Sequence, residues 1–191
     1  IVPDNLEQIG EEAFKSCYVL EEVSYPDGLK TIGKGAFEDC WAIKEVIMPD
    51  SLETLGENAF TRCTALVNVE ISKGLKELSD AVFSYCTALE RIVVPGNIEK
   101  IGSSVWQSND QLREVILQDG VKTIGGAAFL RCGELEEISL PDSVITLGAA
   151  VFRNCSMLRK VKLSSNLQAI PENAFYECYL RELELPESVT R

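Results

Sequence analysis

Apolar residues recur along this chain in columns at positions i, i+23, i+46 and onward. Leu6, Leu29, Leu52, Leu75, Ile98, Val121, Val144 and Leu167 make one column, and Ile9, Ile32, Leu55, Leu78, Ile101, Ile124, Leu147 and Ile170 a second. A third is aromatic: Phe14, Phe37, Phe60, Phe83, Trp106, Phe129, Phe152 and Phe175. Two more begin at Leu20 and Val23, pass through Leu66 and Val69, and reach Leu158 and Val161, after which Leu180 and Leu183 arrive one residue early. A unit this short cannot bury its own apolar face, so the fixed positions require successive units to stack around one continuous core. The pattern therefore predicts a solenoid of about eight repeats, with residues 1–191 forming a single domain.

The third unit shows the elements expected of each coil. Leu66, Val69 and Ile71 end in strict alternation, which suits a short strand with Val69 and Ile71 facing in, and stacking such strands gives a parallel sheet. A turn follows in most units, at Pro26-Asp27-Gly28, Pro49-Asp50-Ser51, Pro95-Gly96-Asn97 and Pro141-Asp142-Ser143. Proline presets φ there and Gly or Asn accepts positive φ. The stretch from Gly56 to Cys63 is too short for an independent helix, and one or two helical or 3₁₀ turns are expected on that side. Thr31-Ile32, Thr54-Leu55, Thr123-Ile124 and Thr146-Leu147 predict a second, minor ladder.

Leu29-x-x-Ile32-Gly33-x-x-Ala36-Phe37-x-x-Cys40-x-x-Ile43-x-x-Val46-x-Met48-Pro49 closely resembles the BspA-like class of leucine-rich repeats, over essentially the whole chain. The resemblance implies an α/β repeat solenoid: a right-handed leucine-rich repeat superhelix with a parallel concave sheet and short helical or 3₁₀ turns outside. It also implies an extracellular or cell-surface location in bacteria and a role in adhesion to host proteins or other cells. The fifth unit departs from the pattern, with Val105-Trp106-x-x-Asn109 in place of Ala-Phe-x-x-Cys, and the last unit lacks one residue. The turns at Val2-Pro3-Asp4 and Leu185-Pro186-Glu187 resemble the internal ones, which points to a piece of a longer protein.

Composition narrows the chemistry. Apolar content of 46% argues for an ordered chain. A net charge of -12 with no basic run disfavours nucleic acid and anionic membrane surfaces as partners, and no segment is apolar enough for membrane insertion. Histidine is absent, which removes the commonest general base and metal ligand. Seven cysteines, at 17, 40, 63, 86, 132, 155 and 178, stand a whole unit or more apart and so do not converge as zinc ligands do. Stacked side chains pointing the same way also disfavour disulfides, leaving buried structural thiols, with Asn109 taking the same small polar place. Carboxylate pairs such as Glu21-Glu22, Glu136-Glu137 and Glu182/Glu184 lack the cleft that a glycosidase needs. The sequon Asn154-Cys155-Ser156 has its middle residue in the buried column. No catalytic residue, metal site or cofactor is assigned, and the chain is not expected to be an enzyme.

Charge alternates along Glu7, Lys30, Glu53, Lys76, Glu99 and Lys122, a column expected to fix coil register more than to add stability. Partner contact is sought on the strand positions that point away from the core. One such column reads Ser24, Ile47, Glu70, Val93, Ile116, Ser139, Lys162, Glu184, and its neighbour Glu22, Glu45, Asn68, Arg91, Glu114, Glu137, Lys160, Glu182. Ile47, Val93 and Ile116 have no core reason to be apolar. With Glu70, and with Glu45, Asn68, Arg91 and Glu114 beside them, they make a candidate protein-contact strip; alternatively, β-branched residues simply favour strands there. Tyr18 and Trp41 are expected to pack against a neighbouring coil or to form an edge contact. The reading is a protein-protein interaction module of a surface or secreted protein. The alternative is a spacer solenoid that presents another domain and has no ligand of its own.

Overall fold

Each i+23 period closes one coil, and the chain climbs by one coil per repeat. The computed structural model describes residues 5–190; the Val2-Pro3-Asp4 turn lies outside them. Two ladders of very short parallel strands run along the stack. The main ladder comprises β3 (Glu45–Ile47), β5 (Asn68–Glu70), β7 (Arg91–Val94), β9 (Glu114–Leu117), β11 (Glu137–Ser139), β13 (Lys160–Lys162) and β14 (Glu182–Leu183). The minor ladder comprises β1 (Gln8–Ile9), β2 (Thr31–Ile32), β4 (Thr54–Leu55), β6 (Glu77–Leu78), β8 (Lys100–Ile101), β10 (Thr123–Ile124) and β12 (Thr146–Leu147). Pairing joins residues one repeat apart, as in Val46 with Val69 and Ile32 with Leu55. The last pair, Val161 with Leu183, is one residue short because the eighth coil is.

The third side of each coil is not helical, contrary to the expectation of helical or 3₁₀ turns. Its backbone donors alternate between two uses. Ala36, Glu38 and Cys40 donate to Gly33, Gly35 and Phe37, three residues back within the coil, whereas Gly35, Phe37 and Asp39 donate to Glu57, Ala59 and Thr61 of the next coil. A 3₁₀ helix needs every N–H for its own i→i−3 bonds, so diverting every second one to a neighbour forbids it. The diversion needs left-handed residues twice per coil. φ is +58° at Gly35 and +60° at Asp39, then +56° at Asn58 and +60° at Arg62, and the same two columns recur through Asn173 and Glu177. Most are not glycine, and each costs backbone strain that the coil-to-coil bonds must offset.

The core is filled by the predicted columns, except at the ends of the stack, where Phe14 and Leu183 have a neighbouring coil on one side only and are exposed. Phe37, Phe60, Phe83, Trp106, Phe129 and Phe152 are fully buried, and near-parallel rings stack in two runs, from Phe14 to Phe83 and from Trp106 to Phe175. Centroid separations of 5.1 to 5.7 Å exceed the roughly 4.8 Å spacing of neighbouring strands, as offset stacking requires. The alternating charge column behaves differently from expectation. Among the described residues it closes only one ion pair, Lys122 with Glu99 at 2.6 Å. Pairs one repeat apart form instead in several other columns, among them Lys34 with Glu57, Lys44 with Glu21, Lys73 with Asp50 and Lys100 with Glu77. All are solvent exposed, so they contribute little beside the rings.

Replacing Phe60, with rings on both sides, by Ala is expected to cost about 3 to 5 kcal/mol in chemical denaturation. Phe175→Ala should cost clearly less, because Phe175 is only half-buried. Equal losses would contradict stability carried by nearest-neighbour coils.

Candidate interaction face

The main ladder turns one face into the core and the other to solvent. Glu45, Asn68, Arg91, Glu114, Ile47, Glu70 and Ile116 are exposed, and Val93 is half-buried. Ile47 is 46% exposed and Ile116 36%. Register sorts the eight candidates into two blocks. In the first, Glu45 faces Asn68 and Ile47 faces Glu70; in the second, Arg91 faces Glu114 and Val93 faces Ile116. Val93 and Ile116 are therefore true neighbours, whereas Glu70 separates Ile47 from both. The flanking polar residues are tied to one another: Asn68 Nδ2 donates to Glu45 at 2.7 Å, and Arg91 Nε to Glu114 at 2.7 Å. Such rungs hold rim side chains in place at little net energy.

Two features of this face lie outside the predicted strip. Val67, 56% exposed, borders a shallow depression with Glu21, Lys44 and Asn68. A second depression, ≈ 410 Å³, continues the strip past Ile116 to Glu137, Ser139, Lys160 and Lys162. The signal for the second was present in the same two outward columns. Val67 was legible only as an apolar residue in a column otherwise occupied by Glu21, Lys44, Glu90 and Arg113.

At the edge, Tyr18 and Trp41 pack on each other across one coil, with ring centroids 4.3 Å apart, and Trp41 Nε1 donates to Asp39 at 3.2 Å. The carboxylates of Glu21, Glu22, Glu136, Glu137, Glu182 and Glu184 are all exposed. Among the described residues no group of three potential ligands is placed to hold a metal ion. In the sequon, Cys155 is buried and the Asn154 amide donates to Glu177.

All seven cysteines are free. Each thiol after the first donates to the carbonyl of the aromatic residue in the preceding coil: Cys40 to Phe14 at 3.1 Å, Cys63 to Phe37 at 3.4 Å, Cys132 to Trp106 at 3.2 Å. Parallel donation explains why neighbouring thiols stack without pairing. Burial pushes the Cys40 thiol up to about 11 and Cys86 up to about 12, which keeps both protonated and unreactive at neutral pH. Asn109 uses the same place differently. Its Oδ1 accepts the Cys86 N–H at 2.9 Å, whereas its buried Nδ2, like Trp106 Nε1 in the same coil, has no partner.

The repeat matches the model of the BspA type leucine-rich repeat region, in six copies over residues 1–113 and 76–191. The chain belongs to that family of leucine-rich repeat proteins. A leucine-rich repeat protein of T. pallidum is 31% identical, with a TM-score of 0.74 over 91% of this chain and 78% of that one. A leucine-rich cell surface protein of Faecalibacterium prausnitzii A2-165 is 23% identical, with a TM-score of 0.63 over 97% of this chain and 59% of that one. The pneumococcal vaccine antigen PcpA is 20% identical, with a TM-score of 0.62 over 98% of this chain and 56% of that one. This chain thus spans little more than half the length of the last two. No curated protein matches. Among the described residues no helix is long and apolar enough to cross a membrane.

In the native state, Cys40, Cys63, Cys86, Cys132 and Cys155 are expected to resist a thiol reagent until denaturant is added, with half-buried Cys17 and Cys178 reacting first. Mass-resolved labelling checks this order. Asn109→Cys should stabilise the chain by about 1 kcal/mol, because it removes a buried donor without a partner and supplies a thiol aimed as in the other coils. A loss of stability in calorimetry would mean that the bond to Cys86 outweighs the orphaned amide.

Proposed function

We propose that this chain is a protein-binding module of a bacterial surface or secreted protein, acting through the solvent face of the main ladder. Residues 1–191 work as one solenoid unit, without catalytic activity, cofactor or metal. The observation that carries the reading is the exposure of Ile47 and Ile116 on a sheet face whose flanking residues are charged or polar. Apolar centres inside a polar rim are the ordinary composition of a protein interface. The family and the description of the F. prausnitzii relative as a cell surface protein support the location. Net charge of -12 favours a protein partner over nucleic acid or an anionic bilayer.

One observation favours the second reading, a spacer without a ligand of its own. Glu70 interrupts the apolar column between Ile47 and Val93, so the strip is two small patches instead of one. The two readings part on a single variant. Ile47→Ser, Val93→Ser and Ile116→Ser combined should leave the fold intact, as none of the three belongs to the repeat core, and should weaken a captured protein partner at least tenfold, about 1.4 kcal/mol. An affinity within about twofold of the parent, measured by calorimetry or interferometry, would move the site off this face.

A further inference from the structure

The minor ladder is kept close by a column of small residues just after its strands: Gly33, Gly56, Ser79, Gly102, Gly125, Gly148 and then Pro171. Where glycine stands, its N–H donates to the coil before: Gly33 to Ile9 at 2.9 Å, and Gly56 to Ile32, Gly102 to Leu78, Gly125 to Ile101 and Gly148 to Ile124, each at 2.8 Å. The approach leaves no room for a side chain. A Cβ on Gly33 would lie 2.6 Å from the Glu11 nitrogen, and one on Gly125 would lie 2.5 Å from the Gly102 carbonyl carbon. Ser79 carries that Cβ, and at this coil the backbone bond is replaced by a longer reach, the Ser79 hydroxyl donating to the Leu55 carbonyl at 2.5 Å.

The neighbouring rungs are lost with it. Glu53 and Thr54 both donate to Lys30, Glu99 and Lys100 to Lys76, and Lys122 and Thr123 to Glu99, but Lys76 and Glu77 make no such bond to Glu53. The minor ladder accordingly parts between β4 and β6. The main ladder parts at the same junction, between β5 and β7: Val67 and Asn68 donate to Lys44, and Arg113 and Glu114 to Glu90, whereas Glu90 and Arg91 make no bond to Val67. The main ladder also parts between β9 and β11, yet there the minor ladder continues through β8 and β10. Among the described residues, backbone hydrogen bonds between the third and fourth coils run only along the turn side, through Asn58 to Asp80, Phe60 to Val82 and Arg62 to Ser84; away from it the coils are tied by side chains, the Ser79 hydroxyl to Leu55 and the Ser72 hydroxyl to the Leu52 carbonyl at 3.0 Å. The Phe60 and Phe83 rings at this junction stand 5.7 Å apart, the widest step among the stacked pairs.

We infer that the junction between the third and fourth coils is a hinge, bending about the turn-side spine and set loose by Ser79. The hinge divides the candidate face, with Glu45, Ile47, Asn68 and Glu70 on one side and Arg91, Val93, Glu114 and Ile116 on the other. Bending changes the angle between the two blocks without breaking either, so a partner spanning both selects the angle that fits it. The hinge itself rests on backbone geometry and holds whether or not this face binds anything.

Two measurements on the free chain test it. In hydrogen exchange, the Lys76, Glu77 and Arg91 amides should exchange at least about tenfold faster than the equivalent Glu53, Thr54 and Asn68. Ser79→Gly should slow Lys76 and Glu77 to the rate of their counterparts and raise the melting temperature. Because unbonded amides exchange quickly even in a rigid chain, the second readout is distance. Spin labels on ketone-bearing residues placed at Asp27 and Asp119 span the junction, and a pair at Asp119 and Glu187 lies beyond it; all three sites are exposed. A broad distribution for the first pair that narrows in Ser79→Gly, beside a narrow one for the second, is the expected result. Equal widths in the parent chain, or a Ser79→Gly variant less stable than the parent, would overturn the hinge.

Discussion

Every coil of this chain has backbone donors committed to a neighbouring coil, and that close approach is the constraint on which everything else depends. On the turn side the bonds Gly35 to Glu57, Phe37 to Ala59 and Asp39 to Thr61 bring two coils to strand spacing. At that separation the rings of Phe37 and Phe60 can stack only face to face and offset, and their planes lie within 2° of each other. The same spacing leaves the minor ladder no room for a side chain at Gly33, and leaves the Cys63 thiol within reach of the Phe37 carbonyl. One geometric demand thus selects an aromatic, a glycine and a cysteine at three different places in the repeat.

The energetics divide accordingly. Burying a large side chain contributes about 1.5 to 3 kcal/mol, whereas an exposed ion pair contributes about 0 to 1, so the ring and aliphatic columns hold the stack. Charged pairs such as Lys34 with Glu57 favour one register over its neighbours without adding much stability. The costs are also visible: left-handed residues twice per coil, and buried Trp106 Nε1 and Asn109 Nδ2 without partners in the fifth. A departure from the repeat is therefore a departure in rigidity. Ser79 opens a ladder that the glycines keep shut, and Pro171, which has no N–H to donate, stands where the minor ladder ends after β12.

What such a stack offers to a partner is a row of short strands whose outward residues are free of core duty. Ile47, Val93 and Ile116 use that freedom for apolar side chains, and Arg91 with Glu114 uses it for a fixed polar rung. Because the face is built from separate coils, its curvature follows the junctions between them, which is how a rigid repeat can still present an adjustable surface.

The repeat period, the buried columns, the parallel strands and the minor ladder were all written in the sequence, because each recurs from coil to coil and burial tolerates few residue types. The cysteine column was legible as structural for the same reason, although its bond to the preceding aromatic's carbonyl was not. Helical turns were expected between Gly56 and Cys63 and do not form: a local propensity cannot register that every second N–H is claimed by the neighbouring coil, a whole repeat away along the chain. Nor could the alternation of Glu7, Lys30 and Glu53 reveal which charges meet, since long side chains choose among neighbours in three dimensions. Whether the polar residues of the outward face close into rungs, as Arg91 does with Glu114, and whether Ser79 is a harmless replacement or a break in a ladder, depended on register and on the clearance between coils. Those are distances between segments, and only the tertiary structure sets them.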